Sequence, residues 1–327
     1  MWAAERGWWA MQSERVHLLS VPGKLMIAGE YAVLRPTGVC LAVAVGRLVD
    51  AYEVPGAAEF WLDAFGQNVR VTEPAAGLGQ YVLAAEQAAR KTWNIKLNTQ
   101  LQLIVHGSRD GKKLGLGTSA AVTVATLRGL AMQAHHHVTA DEVAELARTV
   151  HRTVQGAGSG YDVTTIAHGG CVQFDRQGDS AQSLEWPQGL AMAALFTGEP
   201  APTAPALARV TAMSETLLTI DAAARELLAL WPVAAPKTLL AALQHCEDAL
   251  DIAAVRVPEL LPQALRDTRQ FCRDHGLVAR TSGAGGGDCV LACGTPAAVA
   301  RAATAWQENG KLVAAALPRD LAAPQPG

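Results

Sequence analysis

Residues 115–121, which read Gly-Leu-Gly-Thr-Ser-Ala-Ala, combine residue types that suit the binding of a phosphate group. The glycines allow backbone N–H groups to approach an anion closely. A helical pattern starts near Thr118, so its first turn would add unpaired N–H groups and the positive end of the helix dipole. Of the two adjacent hydroxyls, one can cap the helix and the other can bind a divalent cation held by the phosphates. The stretch therefore predicts a phosphate-binding loop of Lys113, Gly115, Leu116, Gly117, Thr118, Ser119 and Ala120.

Two better-known phosphate motifs do not match this stretch. It lacks the G-x-x-x-x-G-K-[ST] spacing of a P-loop and the G-x-G-x-x-G spacing of a dinucleotide-binding fold. Lys112 and Lys113 lie just upstream and can supply neutralising charge. The predicted phosphate site therefore belongs to neither of those classes.

Two further charged residues occur in stretches rich in glycine or turn residues. Lys24 follows Pro22-Gly23 inside an apolar run, and this pair predicts a bent edge strand or loop with Lys24 at a turn. Asp162 lies in a second glycine-rich element, residues 156–163, and a third one covers residues 281–288. A lysine and a carboxylate near bound phosphates would suit phosphoryl transfer, which depends on positioning and charge neutralisation.

Composition limits the classes of partner. The chain has 327 residues, of which 50% are hydrophobic and 17% charged, enough for two domains with large cores. A net charge of -3 and a pI near 6.3 offer no electrostatic case for binding nucleic acid or an anionic membrane. No uninterrupted apolar run reaches the roughly 18 residues needed to span a bilayer.

The cysteines and the N-terminal residues indicate the compartment. The six cysteines show no C-x-x-C pair, which favours reduced thiols in a cytoplasmic protein. Residues 1–15 contain charges and no apolar segment of signal-peptide length, so we expect a disordered extension, with Met11 as an alternative start.

The motifs are separated by segments of mixed helix and strand character. Strands are predicted at 16–27, 40–54, 69–72, 101–106, 170–174, 190–196, 289–292 and 311–317. Helices are predicted at 77–91, 118–132, 206–230, 238–255, 261–275 and 296–308, and a capping box at 139–142 starts another amphipathic helix. The polar, turn-rich residues 179–187 are the expected domain boundary, and we expect the Ala/Pro-rich end to be frayed.

In this order, the Pro-Gly-Lys motif and the three glycine loops resemble the GHMP small-molecule kinase superfamily over about residues 18–318. The resemblance implies an α+β, two-domain fold. Residues 16–186 would form an ATP-binding N-terminal domain like the second domain of ribosomal protein S5, and residues 187–318 a ferredoxin-like C-terminal domain. Residues 319–327 would be a disordered tail.

Within the superfamily, several stretches resemble phosphomevalonate kinases, with mevalonate kinases as the nearest alternative. These stretches are residues 158–163, 197–200 and 282–289 and Lys113 before the phosphate loop. The implied reaction is ATP-dependent phosphorylation of 5-phosphomevalonate with Mg²⁺ as cofactor, in a cytoplasmic monomer or homodimer. A different GHMP kinase, or a sensor of the same fold without catalysis, is the alternative, although a sensor would not need both Lys24 and Asp162.

The resemblance also implies roles for single residues. Lys24 and Asp162 would be catalytic, with Lys24 stabilising charge that develops beside Asp162. The family commonly has two serines where this chain has Thr118-Ser119, which leaves the metal ligand open between the two hydroxyls, with Ser119 favoured. Tyr31 is either an acceptor-pocket residue or a buried core tyrosine. The implied acceptor-binding set is Lys24, Tyr31, Lys113, Ser159, Gly160, Asp162, Ser282, Gly283 and Ala284.

Overall fold

The computed structural model describes residues 15–54, 60–95, 100–109, 112–156, 158–199, 210, 212–285 and 287–326. The predicted N-terminal extension therefore lies outside the described residues except for Arg15. The Arg15 guanidinium stacks 4.4 Å from the centre of the Tyr52 ring. The Arg15 side chain therefore packs against the folded domain.

Runs of strands and runs of helices follow one another along the chain. The strands are β1 (Val16–Ala28), β2 (Val39–Val54), β3 (Phe60–Ala64), β4 (Gln67–Val71), β5 (Gln100–Val105), β6 (Ser108–Arg109), β7 (Lys112–Lys113), β8 (Cys171–Asp175), β9 (Ser180–Leu184), β10 (Ala191–Phe196), β11 (Val278–Thr281), β12 (Cys289–Gly294), β13 (Val313–Leu317) and β14 (Gln325–Pro326). The helices are α1 (Leu78–Trp93), α2 (Thr118–Gln133), α3 (Ala140–Gln155), α4 (Tyr161–His168), α5 (Ser214–Leu230), α6 (Pro236–Arg256), α7 (Gln263–Asp274) and α8 (Pro296–Glu308). Short 3-10 helices cover Ala32–Leu34 and Pro258–Leu260.

The N-terminal domain is an eight-stranded sheet covered by α1 to α4. Its strand order is β14-β1-β2-β5-β3-β4, and β2 also pairs with β8, which pairs with β9. Helix α2 is buried along most of its length, because its alanines and β-branched residues let it lie directly on β1 and β2. Gly129 is needed for this contact, since a β-carbon there would lie 2.8 Å from the Leu101 side chain.

The C-terminal domain has the order of a ferredoxin-like domain. Its sheet runs β11-β12-β10-β13 with every pair antiparallel, and helices separate β10 from β11 and β12 from β13. Helix α8 packs on β10 and β12 through Val299, Ala302 and Trp306. The predicted α+β, two-domain class is therefore confirmed. No helix in the described ranges has the length and apolar character needed to cross a bilayer.

Several local predictions are also met. The capping box of α3 is present, since Thr139 Oγ1 accepts from Glu142 N at 3.2 Å and Thr139 N donates to Glu142 Oε2 at 2.7 Å. All six cysteines are free and buried. The histidines at 135–137 follow α2 on the exposed surface.

The prediction that Lys24 lies at a turn is wrong. Strand β1 continues through Pro22-Gly23, and the pair is accommodated by a register shift against β2 between Val21 and Gly23. Lys24 pairs with Ala44 of β2, and its N–H donates to Leu116 O at 2.8 Å. The bulge therefore brings β1 against the phosphate loop instead of ending the strand.

The prediction of a disordered tail is wrong for residues 319–326. Strand β14 pairs with β1 at Leu19 and Ser20. Upstream of it, Gly46 N donates to Asp320 O at 2.9 Å, and Gly170 N donates to Ala322 O at 2.7 Å. The tail therefore covers the free edge of β1 and returns the chain to the N-terminal domain.

Two element boundaries also differ from the predictions. Residues 179–187, expected to be a turn-rich boundary, contain strand β9, which pairs with β8 in the first sheet. The helix predicted at 206–230 starts at Ser214, while residues 206–209 lie outside the described part of the chain. At β9 the polar composition gave no sign of the pairing with β8 that defines the strand.

A buried network of charges joins the two domains. The Arg280 guanidinium on β11 bonds to Glu30, just after β1, and donates to Glu247 Oε2 on α6 at 2.5 Å. Glu247 also accepts from Thr281 N at 2.8 Å and from Thr281 Oγ1 at 2.6 Å. Burial raises the pKa of Glu30, and the charge of Arg280 only partly opposes this. Burial would lower the pKa of Arg280, but the charges of Glu30 and Glu247 outweigh it and raise the pKa.

Candidate active site

The main cavity lies between the two domains and has a volume of about 840 Å³. Its wall includes Lys24 and Met26 of β1, the loop before α2, parts of α1, α3 and α4, and residues 282–284 of the C-terminal domain. This volume falls within the range of about 300–1,000 Å³ that is usual for small-molecule sites. The predicted phosphate loop, Lys24, Asp162 and the third glycine loop are thus brought to one place.

The phosphate loop has the geometry that its glycines predict. Gly115 and Gly117 adopt left-handed φ angles of 72° and 80°, which only glycine adopts without strain. Gly117 is the N-cap residue of α2, and no side chain caps the helix, so the prediction of a hydroxyl cap is wrong. The Asp288 carboxylate packs against Gly115, where a β-carbon would lie 2.3 Å from Asp288 Cγ. The first turn of α2 therefore opens into the cavity without a side-chain cap.

Thr118 and Ser119 both line the cavity, but they differ in exposure. Thr118 is 8% exposed, whereas Ser119 is half-buried. No group of three or more His, Cys, Asp or Glu side chains that could hold a metal occurs within the described ranges. Among the oxygen donors on the wall, the Ser119 hydroxyl and the Asp162 carboxylate would suit a Mg²⁺ ion that takes its other ligands from phosphates and water.

We expect Ser119→Ala to weaken the use of magnesium nucleotide more than Thr118→Ala does. The more exposed hydroxyl of Ser119 can face the phosphates, while Thr118 packs into the wall. The check is the affinity of each purified variant for a magnesium–nucleotide complex, measured by calorimetry over a range of Mg²⁺ concentrations. A larger loss in Thr118→Ala would move the metal role to Thr118.

Lys24 is positioned by the phosphate loop itself. Its aliphatic chain lies on Gly117, where a β-carbon would lie 2.9 Å from Lys24 Cγ. Its Nζ donates to Gly115 O at 3.2 Å and lies 5.8 Å from the centre of the Tyr161 ring. The ammonium group is therefore held between the phosphate loop and the start of α4.

Asp162 lies in the first turn of α4, opposite His151 of α3. Asp162 Oδ1 accepts from Val163 N at 2.9 Å, and Oδ2 lies 3.9 Å from His151 Nδ1. The buried His151 forms a hydrogen bond with Thr123 Oγ1 through Nε2 at 3.1 Å. Lys24 and Asp162 line the same cavity, but among the described residues they form no ion pair within 4.0 Å.

The acceptor-side residues are tied to the contact between the domains. The Tyr31 hydroxyl donates to Ala284 O, and burial, followed by the charge of Glu30, raises the pKa of Tyr31. Ser282 Oγ accepts from Met26 N at 3.1 Å and donates to Met26 O at 2.9 Å. Both side chains line the cavity while joining the domains, so their contacts with an acceptor stay predictions.

The remaining predicted residues complete this wall. Ser159 and Gly160 are buried at the start of α4, and Gly283 has open space where a β-carbon would be. Lys113 is exposed at the mouth, with Nζ 5.4 Å from the centre of the Phe65 ring. The side chains of Ser108, Arg109 and Lys112, next to Lys113, lie outside the described part.

The sequence analysis missed three basic residues of this wall. Arg148, His151 and Arg152 lie on the face of α3 that borders the cavity. Their spacing of three and four residues, beside the apolar face that was recognised, was an available signal. This spacing did not indicate a binding site by itself, because the sequence does not show that α3 lies beside the phosphate loop.

Family models match both domains. The model of the GHMP kinases N-terminal domain matches residues 80–170, and that of the GHMP kinases C-terminal domain matches residues 239–312. The chain belongs to the GHMP kinase family. The first match includes the phosphate loop and Asp162 of this GHMP kinase, and the second includes Glu247, Arg280 and the third glycine loop.

Relatives of this GHMP kinase act on two different acceptors. A phosphomevalonate kinase from a Streptomyces species is 30% identical over 240 residues, covering 58% of this chain and 64% of that protein. The match thus spans just under two thirds of that relative's length. A mevalonate kinase from Pyrococcus furiosus is 26% identical over 318 residues, covering 84% of this chain and 88% of that protein.

A solved structure confirms the fold of the GHMP kinase. The phosphomevalonate kinase of Streptococcus pneumoniae, in complex with phosphomevalonate and AMPPNP, superposes with a TM-score of 0.76. The two chains are 21% identical, and the match covers 92% of this chain and 98% of that one. At this identity the likeness shows the shared fold, while the acceptor must be argued from the site.

Proposed function

We propose that the chain is an ATP-dependent kinase of the mevalonate pathway that phosphorylates 5-phosphomevalonate to the diphosphate. The observation that carries the proposal is the charge of the cavity wall beside the phosphate loop. Lys24 and Lys113 line it next to that loop and Arg148 and Arg152 line it on α3, against three carboxylates, Glu30, Asp162 and Asp288, of which Glu30 is already bonded to Arg280. Such a wall suits the meeting of two highly anionic substrates, because cationic groups offset their repulsion. The phosphomevalonate kinase relative supports the same acceptor.

In this proposal the chain's own groups position the phosphates. The N–H groups at the start of α2 and the backbone of the glycine loop hold the nucleotide phosphates. Lys24, held against that loop, stabilises the negative charge of the migrating phosphoryl group. Magnesium bound with the nucleotide would neutralise phosphate charge, and Ser119 and Asp162 are the residues placed to hold it.

The role of Asp162 in the reaction depends on whether the acceptor group is a phosphate or an alcohol. A phosphate monoester has a second pKa near 6, so at neutral pH its attacking oxygen carries no proton to remove. Asp162 then orients the start of α4 and the metal. An alcohol such as mevalonate must lose its proton, and a carboxylate acting as base would then contribute about 10²- to 10⁴-fold.

Mevalonate kinase is the second candidate. The Pyrococcus furiosus relative aligns with 84% of the chain, and Asp162 lies at the cavity next to His151, where a carboxylate base could act. A sensor without catalysis is disfavoured by the presence of both Lys24 and Asp162. The free, buried cysteines support a reducing, cytoplasmic setting for the reaction.

We expect turnover of 5-phosphomevalonate and little turnover of mevalonate. The measurement is ADP release by the purified protein with each acceptor at saturating magnesium ATP. Asp162→Asn should lower kcat with 5-phosphomevalonate by less than the roughly 10²-fold minimum expected for loss of a general base. Strong turnover of mevalonate with none of 5-phosphomevalonate would overturn the proposal and assign Asp162 as a base. Absence of turnover with every acceptor would favour the sensor.

A further inference from the structure

Two arginines on α3 line the cavity and bond to residues outside the phosphate loop. Arg148 and Arg152 are four residues apart on the helix and both line the cavity. Between them lies His151, whose ring bonds to Thr123. In the proposed reaction these guanidinium groups contribute only to the positive charge of the wall, and no contact with a particular substrate group is assigned to them.

The site carries more positive than negative charge. Arg152 Nη2 donates to Asp179 Oδ2 at 2.7 Å, Arg176 bonds to the same carboxylate, and Arg148 Nε lies 3.8 Å from it. Three guanidinium groups thus share one carboxylate. Burial would raise the pKa of Asp179, but the bonds from Arg152 and Arg176 outweigh it and lower the pKa. The other acids of α3 near Arg148, Asp141 and Glu145, are exposed, so water weakens their effect.

Arg148 is the most deeply placed of the three. Its side chain is 11% exposed, and its Nη1 donates to Thr164 Oγ1 at 3.0 Å. Burial lowers the pKa of Arg148, and the charge of Asp179 opposes this only in part. A buried cation whose counter-ion is distant and shared is stabilised when an anion enters the cavity beside it.

Arg148 and Lys24 lie against different residues of the cavity wall. Its side chain lies against Gly160, where a β-carbon would lie 2.6 Å from Arg148 Cγ. Lys24 instead faces the next residue, Tyr161, and bonds to the phosphate loop. The group that attacks the nucleotide must lie in line with the γ-phosphate, and therefore beside Lys24. The arginines are thus placed for a second anionic group of the acceptor.

We propose that Arg148 and Arg152 bind the carboxylate of the acceptor, at the end of the molecule away from the group that receives the phosphoryl group. This rests on the proposed function only in that the acceptor is a hydroxy acid of the mevalonate type. The planar guanidinium matches a carboxylate through two parallel N–H···O bonds. Lys24 and the two arginines then hold the two ends of the acceptor, so the site selects acids over neutral alcohols and plain phosphate esters.

The test combines a protein variant with a ligand that lacks the carboxylate. The ligands are 5-phosphomevalonate and its decarboxylated analogue, 3-hydroxy-3-methylbutyl phosphate, and the readout is KM and kcat for each. Wild type should favour the carboxylate-bearing ligand. Arg152→Gln should raise KM for 5-phosphomevalonate by about 10- to 100-fold, the effect of losing a hydrogen bond to a charged group. It should leave KM for the analogue and for ATP nearly unchanged.

Arg176→Gln is the matched control, because Arg176 bonds to the same Asp179 but is not among the described residues that line the cavity. Arg176→Gln should change neither the KM for 5-phosphomevalonate nor the KM for the analogue. Arg148→Gln should also raise the KM for 5-phosphomevalonate; if it does not fold, Arg148→Lys, which keeps the charge but loses the paired geometry, takes its place. Equal losses for both ligands in Arg152→Gln, or a rise in KM for ATP, would overturn the inference.

The inference and the proposed function can fail separately. If wild type phosphorylates mevalonate instead, the same comparison applies to mevalonate and its decarboxylated analogue, 3-methylbutane-1,3-diol. A preference for the acid that disappears in Arg152→Gln would then uphold the carboxylate site while the proposed acceptor is rejected. Turnover of 5-phosphomevalonate with an unchanged KM in both arginine variants would reject the carboxylate site alone.

Discussion

Replacing Lys24 by methionine is expected to lower kcat by about 10²-fold or more, the usual effect of removing a group that stabilises transition-state charge. The lysine chain lies on Gly117, so methionine can fill the same space without its charge. The bond from Nζ to Gly115 O is partly exposed, and its loss should leave the fold intact. We expect the thermal unfolding midpoint and the affinity for nucleotide to stay close to wild type. Steady-state kinetics and calorimetric titration with a non-hydrolysable nucleotide measure the two effects.

A lysine outside the cavity provides the control for this experiment. Lys311 Nζ lies 4.1 Å from the centre of the Trp306 ring in the C-terminal domain and is not among the residues lining the cavity. Lys311→Met removes one positive charge from the protein and should retain full turnover. Turnover of Lys24→Met within a few-fold of wild type would show that Lys24 does not act on the migrating group.

The second large effect is expected on stability. Arg280→Met should lower the free energy of unfolding by about 3–5 kcal/mol, because it leaves the buried Glu30 without the cation that it shares with Glu247, which itself keeps a salt bridge to Arg269. The two carboxylates belong to different domains, so the loss should also weaken the contact between them. Urea unfolding of the purified variant at neutral pH measures the change.

Comparison variants test whether the loss of stability in Arg280→Met comes from the buried charge that is left unpaired. Arg301→Met, at an exposed position of α8, should change the free energy of unfolding by less than about 0.5 kcal/mol. Adding Glu30→Gln to Arg280→Met should restore part of the stability, since the unpaired buried charge is then removed. An Arg280→Met protein as stable as wild type would mean that the network contributes nothing to folding.

The features that could be predicted from the sequence are those that depend on neighbouring residues. The start of α2 follows from two glycines and the apolar segment after them, and the capping box of α3 lies within four residues. The ferredoxin-like arrangement could be predicted only through the resemblance, since no local pattern specifies which strands pair. The predictions for Lys24 and Asp162 placed both at one cavity, but not the contacts that each of them makes.

The features that were missed depend on partners far away in the sequence. Pro22-Gly23 would normally interrupt a strand, but the loop at Leu116 and the register shift against β2 accommodate it. Arg148 and Arg152 would be ordinary surface residues of an amphipathic helix if α4 did not pack beside them. The polar residues around β9 become a strand only because β8 offers an open edge. In each case tertiary contacts outweigh the local propensity.

The docking of the tail has a consequence for the order in which the protein forms during synthesis. Residues 320–326 supply partners to Leu19, Gly46 and Gly170, yet the ribosome makes them after the whole ferredoxin-like domain. The N-terminal domain is therefore translated first and completed last, with one edge of β1 open while the second domain emerges. An open strand edge is the kind of surface on which nascent chains associate wrongly. Pairing of β14 with β1 thus ends that period of exposure.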